Sequence, residues 1–403
     1  MTLPYVPDYK IEIDGKQIPA ALRAAVTEIT YQDGIEGADR VEVVLANQNL
    51  KLLDNDLLRV DNGFKLSIGY VPDPLELVFV GEITGVEPSF PNNGMPTIKI
   101  VAHDFLQRLT RGKVDRAFLV RMACTNNFPI PDPVVVSMVT ATDLLLPYPD
   151  PIGGVLSIVL GVLIYKLDPE EAQKNVLAQL NESDFDFLSR ISKGNGWDMA
   201  IDHTMSPHGY WLRFRSMTQG LSADLSLKYG QSLMDFTPKI TTVGDVSGVA
   251  ARIWVSSIKT EFVIVVGWDF DRSSFTLKVS PGIGELPKGT ATESIIYTKP
   301  VGFAEAGLKI LSELLPRLNN RMTGSGTSIG DPRIKSGIVI DVDGIGDQFG
   351  GKYRVTSATH TIGSAGYRTT FDARKEVWLY SADNLPRPRS VPGLATLQGL
   401  PLG

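Results

Sequence analysis

The chain opens with short runs in which apolar and polar residues alternate, the period of a strand that buries one face. Tyr9-Lys10-Ile11-Glu12-Ile13-Asp14 is the first, and Gly15 turns the chain. Residues 40–45, 64–70, 77–83 and 97–102 follow, with Gly, Pro and Asn between them. Such strands predict a closed or nearly closed antiparallel β-barrel over residues 1–112. Residues 102–109 read as a short helix that closes it, with Asp104 a helix start and not a ligand beside His103.

The next stretch loses this pattern. Between 113 and 174, Pro129, Pro131, Pro133, Pro147, Pro149 and Pro151 punctuate two apolar runs, 134–139 and 155–165. It reads as an insertion that contacts a neighbouring protein or as an excursion packed on the barrel. The longer run, residues 155–165, falls short of the ~20 residues that a membrane-spanning helix needs. From Pro169 the pattern turns helical through Leu180. Ser183 then caps a helix with Asp184 and Asp186 in its first turn, where carboxylates are favoured. Phe187, Leu188 and Ile191 form its apolar stripe, and Gly194 and Gly196 stop it. With strand-like 197–201 and 210–215, residues 175–223 form a small inserted α+β domain.

Residues 224–373 read as a second antiparallel β-barrel. Ala304, Leu308, Leu311, Leu315, Leu318 and Met322 give a helical seam over 303–322, with Pro316 as a kink. That helix packs on the second barrel or makes a contact between copies. Gly324-Ser325-Gly326 and Gly282-Ile283-Gly284 read as turns. Residues 374–403 are Pro- and Gly-rich and read as a tail that orders on a partner. The fold class expected is thus β-rich α+β, two similar barrels with inserted α+β segments.

Composition narrows the chemistry. Of 403 residues, 43% are hydrophobic and 21% charged, an ordinary globular balance. A net charge of −6 argues against specific nucleic-acid binding through phosphates. Cys124 is the single cysteine, so no intramolecular disulfide or thiolate zinc site is expected. The first residues lack the pattern of a secretory signal. His203 and His208 lie five apart in a loop with no suitably spaced acid, so neither is expected to bind metal. His360 reads as a hydrogen-bonded histidine of the barrel wall. Gly326-Thr327-Ser328-Ile329-Gly330 spells a nucleophile-elbow pattern but lacks its strand-to-helix context, which leaves Ser328 a plain loop serine. Glu170/Glu171 and Asp184/Asp186 read as helix-start acids. No catalytic residue, cofactor or metal is expected, and the chain does not read as an enzyme.

Several blocks resemble one family. Gln179, Asn181, Glu182, Ser183, Asp184, Phe187 and Arg190 resemble the signature of the baseplate hub family, which includes phage late control gene D proteins and the hub part of type VI secretion spike proteins. Gly230, within Tyr229–Phe236, and Gly267-Trp268 are similar to two further family elements. Gly330, Pro332, Gly337, Tyr353, His360, Gly366 and Tyr367 match its C-terminal run. The resemblance implies a homotrimeric ring whose six barrels adapt a sixfold tail tube to a threefold central spike. Implied partners are a separate spike protein, a tail tube or tube-initiator protein, a tape-measure protein and baseplate wedge proteins. Its implied place is the virion tail baseplate, after assembly in the bacterial host cytoplasm. The chain stops about 30 residues after the last motif, so a separate spike and a contractile phage tail are expected. An extracellular contractile injection particle is one alternative; a free-standing β-rich wall- or glycan-binding protein is another.

Overall fold

The computed structural model describes residues 5–121 except 36, 127–129, 132–140, 146–149, 177–204 except 196, 211–216, 222–241, 248–255, 259–269, 274–281, 295–297 and 313–376 except 315. Cys124, His208, Glu170, Glu171, Gly282–Gly284, the 155–165 run and the tail from 377 lie outside these residues.

The first strands are β1 (Val6–Ile13), β2 (Lys16–Gln17), β3 (Val26–Gly34), β4 (Arg40–Ala46), β5 (Gly63–Val71), β6 (Glu76–Ser89) and β7 (Thr97–His103). Burial alternates as their sequences require: Val41, Val43 and Leu45 of β4 are buried, and their neighbours less so. The sequence pattern found β1, β4, β5, β6 and β7 but passed over β3. In β3 the inward positions are Ile29, Tyr31 and Asp33, so a carboxylate stands where an apolar residue would have marked the strand.

The middle of the chain gives β8 (Val114–Arg121), β9 (Asn127–Pro129), β10 (Leu146–Pro149), β11 (Leu177–Glu182), β12 (Trp197–Asp202) and β13 (Trp211–Ser216). Helices Asp132–Thr140 and Asp184–Asn195 accompany them. Residues 177–180, expected to be helical, are the strand β11, because its backbone pairs with β8 and the Gln179 side chain turns inward. Leu106, Phe118, Phe187, Leu188, Trp197 and Phe214 share one core here.

Then come β14 (Leu225–Lys228), β15 (Leu233–Ile240), β16 (Gly248–Val255), β17 (Thr260–Asp269), β18 (Ser274–Pro281), β19 (Ile295–Tyr297), β20 (Met322–Ile329), β21 (Val339–Asp343), β22 (Gly351–Gly363) and β23 (Gly366–Arg374). β16 to β19 form their own four-stranded sheet. The rest join the N-terminal strands in a 13-stranded sheet of order β15-β20-β23-β22-β3-β4-β7-β6-β5-β1-β2, with β21 and β14 branching from β22. The link is antiparallel pairing of β3 with β22, from Ile29 opposite Ile362 to Gly34 opposite Ser357. Tyr367 accordingly packs in the N-terminal core with Tyr31, Phe64 and Phe79. Among the described residues no helix is long and apolar enough to cross a membrane.

Four expectations for the C-terminal part are corrected. Gly324-Ser325-Gly326 is no turn but the middle of β20; a Cβ on Gly324 would lie 2.4 Å from the Phe236 ring, so the small residue admits an aromatic from β15. Ser328 is likewise a buried strand residue, its hydroxyl donating to the Thr369 carbonyl. Met322 begins β20 and lies outside the helical seam, of which Leu318 is buried; Leu314, beside the seam, is buried as well. Lys375 and Glu376 are buried instead of starting a loose tail. The Arg354 Nε donates to Glu376 at 2.6 Å, and Arg374 reaches both Glu376 and, at 3.6 Å, Asp198 near the start of β12.

Gly330 makes a tight demand, since a Cβ there would stand 2.1 Å from the Tyr367 ring. Gly330→Ala is expected to lower stability by about 3 kcal/mol, the upper part of the usual overpacking range. A urea unfolding curve within about 0.5 kcal/mol of wild type would show that the ring moves aside freely.

Candidate functional site

The residues of the 179–190 signature bond to one another. The Gln179 Nε2 donates to the Glu182 carbonyl at 3.1 Å and to Asp184 Oδ1 at 2.7 Å, which also accepts from Arg116. Asn181, at a φ of 50°, donates its amide to Asp115 where the β11–β8 register slips. The Ser183 hydroxyl accepts the Asp186 amide and donates to its carboxylate, capping the helix. Arg190 pairs with Glu182, donates to the Ala178 carbonyl and lies over Phe187, whose ring stacks on Phe118 at 5.4 Å. The acids are occupied in fastening the helix to β11 and β8.

Of the C-terminal motif residues, His360 and Tyr367 bond to each other. The His360 Nε2–H donates to the Ile334 carbonyl at 2.9 Å, and its Nδ1 accepts from the Tyr367 hydroxyl at 2.9 Å and from Thr369. The ring stacks on Tyr31 of β3 with centroids 5.5 Å apart. Burial drives its pKa down to about 4. Pro332 lines a cavity beside this loop; the Gly337 carbonyl accepts from Arg354; the Tyr353 hydroxyl donates to the Phe349 carbonyl. Gly366 turns β22 into β23, and Gly230 follows β14. Gly267 and Trp268 pair with Thr276 and Phe275 in the separate sheet.

Reasoning from sequence spacing missed a third cluster. At the end of β3 and β12 and the start of the 3-10 helix Phe105–Thr110, Asp39, Asp104 and His203 bring potential ligand atoms within 4.8 Å of one another, all buried. The signal was absent because the partners of His203 lie 164 and about 100 residues away in sequence. The His203 Nδ1 accepts the Val80 amide at 3.1 Å, which places the ring proton on Nε2, donating to Asp39 Oδ2 at 2.9 Å. The same carboxylate accepts from the Tyr31 hydroxyl and the Gly34 amide, while Asp104 accepts the amides of Asp39 and Leu106. A metal would need the nitrogen that carries the proton. The cluster is therefore a satisfied hydrogen-bond network and a poor cation site.

Asp33 extends it, both oxygens accepting the Ser336 amide at 2.8 and 3.0 Å. Burial, then the charge of Asp39, pushes its pKa up to about 8. Burial raises Asp39 and Asp104 as well, and lowers His203 so that it is neutral. A cavity of about 310 Å³ opens beside Asp33 and His203, walled by β3, β12 and the loop that carries Pro332 and Ser336.

A family model described as the Alg8 N-terminal domain matches residues 162–364, half of the chain. The chain belongs to this family. No curated protein matches the sequence. Solved structures do: a 43 kDa tail protein of prophage MuSo2 from Shewanella oneidensis is 13% identical with a TM-score of 0.61, covering 93% of this chain and 100% of its own. A tail protein from Neisseria meningitidis MC58 is 11% identical at 0.57, over 92% and 97%. An Escherichia coli component of the type VI secretion system, described as similar to the T4 bacteriophage tail proteins gp27 and gp5, is 13% identical at 0.54, over 95% and 80%. The chain has the fold of these tail proteins, and the resemblance to baseplate hubs holds at the level of the fold. The Alg8 N-terminal match begins after β10 and ends in the β22–β23 turn, so it spans only the later half of the α+β part, the separate sheet and most C-terminal strands, without delimiting one packed unit.

Three outcomes follow for this family member. Phe187→Ala is expected to cost about 4 kcal/mol in a urea titration, against less than about 1 kcal/mol for Glu182→Gln at the half-exposed pair; equal costs would contradict the ranking. Addition of Zn²⁺ is expected to leave the melting temperature unchanged, and a rise that Asp39→Asn abolishes would contradict the network reading. His360 contributes stability that is present above the unfolded pKa of about 6.5 and is lost as pH falls toward 4. The stability advantage of wild type over His360→Gln should then shrink by about 3 kcal/mol between pH 7 and pH 4; a constant difference would count against a buried neutral imidazole.

Proposed function

We propose that this chain is a structural hub of a contractile phage tail baseplate, a homotrimer that adapts the sixfold tail tube to the threefold central spike. The observation that carries this is the fold shared with the Shewanella prophage tail protein over nearly the whole of both chains. The signature residues support it, since their polar groups are used in fastening elements together. In this reading residues 1–112 and 224–373 are two hub barrels, the second with a helix that ends ahead of Met322, 175–223 is the inserted domain, and 113–174 is an excursion whose described strands β8 and β10 pair with it. Residues from 377 are the tail that meets a partner. Its partners are a separate spike protein, the tube or tube initiator, the tape-measure protein and the wedges, and its place is the virion tail. Its mechanism is mechanical: buried interface area, typically ~2,000–5,000 Å² for obligate contacts, transmits load between rings.

Sedimentation velocity of the purified full chain tests this. A species of three chains that co-sediments with a spike protein is expected. A monomer at every concentration that binds glycans and ignores spike and tube proteins would overturn it.

A further inference from the structure

Three parts of the chain meet at Asp39, and the meeting place carries more acid than cation. β3 supplies Tyr31 and Asp33, the turn after it Asp39, and the 3-10 helix its capping Asp104. The end of β12 supplies Asp202 and His203, and the 331–338 loop supplies Lys335 and the Ser336 amide. Asp202 is matched by Arg213 at 3.2 Å and by the hydroxyl and amide of Thr204. The charge of Lys335 acts on Asp202 and His203. His203 is neutral and spends its one ring proton on Asp39. Asp33, Asp39 and Asp104 are 8%, 5% and 0% exposed, so ionising all three sets three like charges together with almost no water.

We propose that this joint is a proton-controlled clamp, closed while any of the three carboxyls keeps its proton and loosened when all are ionised. Loosening releases the 331–338 loop and residues 202–204 from the end of β3, and water enters through the cavity that already borders Asp33 and His203. The direction follows from linkage. A carboxyl whose folded pKa is raised contributes stability that is present below the unfolded value of 3.8 and is lost as pH rises through the folded value, about 8 for Asp33. The clamp therefore weakens toward alkaline pH. His360 acts in the opposite sense and at lower pH, so the two are separable.

Amide hydrogen exchange of the full chain at pH 6 and pH 9, with labelling times scaled for intrinsic exchange, tests this. Peptides covering 31–39, 200–204 and 333–338 are expected to lose roughly a hundredfold protection between pH 6 and pH 9, the loss accruing over the two units below the Asp33 value of about 8 and levelling off above it, while β6 and β7 keep theirs. Asp33→Asn keeps an acceptor for the Ser336 amide and cannot ionise; it should hold the loss below about threefold. Asp104→Asn is the second variant, and it decides alone if the first does not fold. The proposal is overturned by equal protection at both pH values, by a loss that is unchanged in the folded variants, or by a loss spread evenly through β6 and β7.

Discussion

The 13-stranded sheet hangs on β3 being paired along both edges. β4 takes one edge and β22 the other, so strands from the two ends of the chain enter a single sheet. The double pairing fixes which residues of β3 face inward, since a slip of one residue would turn every side chain over. Ile29 and Tyr31 thereby enter the N-terminal core, and Asp33 is carried to the place where the α+β part and the 331–338 loop arrive. His360 lies opposite Tyr31 in the β3–β22 register and stacks on it.

Burying carboxylates at such a place opposes folding, because each loses hydration worth several kcal/mol. The loss is offset by donors set by the backbone: the amides of Gly34, Asp39, Leu106 and Ser336 all point at carboxylate oxygens. Those donors exist only when β3, the 3-10 helix and the C-terminal loop are in place together. The network therefore adds little net stability while making the joint specific, since partial assembly leaves buried polar groups unpaired. The Arg354–Glu376 pair does the same at the end of β23, with Arg374 extending to Asp198 of β12. A part that transmits load between neighbours, as proposed for this chain, is served by joints that tolerate one arrangement.

Much of this was legible in the sequence where the pattern was local. β4 and β7 show plain alternation, and Ser183 with Asp186 is a cap that spacing alone reveals. What escaped depended on contacts distant in the chain. β3 was hidden by the inward Asp33, whose partner Ser336 lies 303 residues away. His203 was dismissed for want of a neighbouring acid, and its acids come from the turn before β4 and the cap of the 3-10 helix. Gly324 and Gly326 resembled turn residues because their purpose is to admit Phe236 from β15. Leu177–Leu180 followed a helical pattern, and pairing with β8 overrode it.

The most direct test of the central constraint is urea unfolding of the full chain, followed by pulsed hydrogen exchange in β5–β6 and in β22–β23. If β3 makes the two ends one sheet, both regions lose protection at the same midpoint in one cooperative transition. Separate midpoints, with one region protected while the other exchanges freely, would contradict the account.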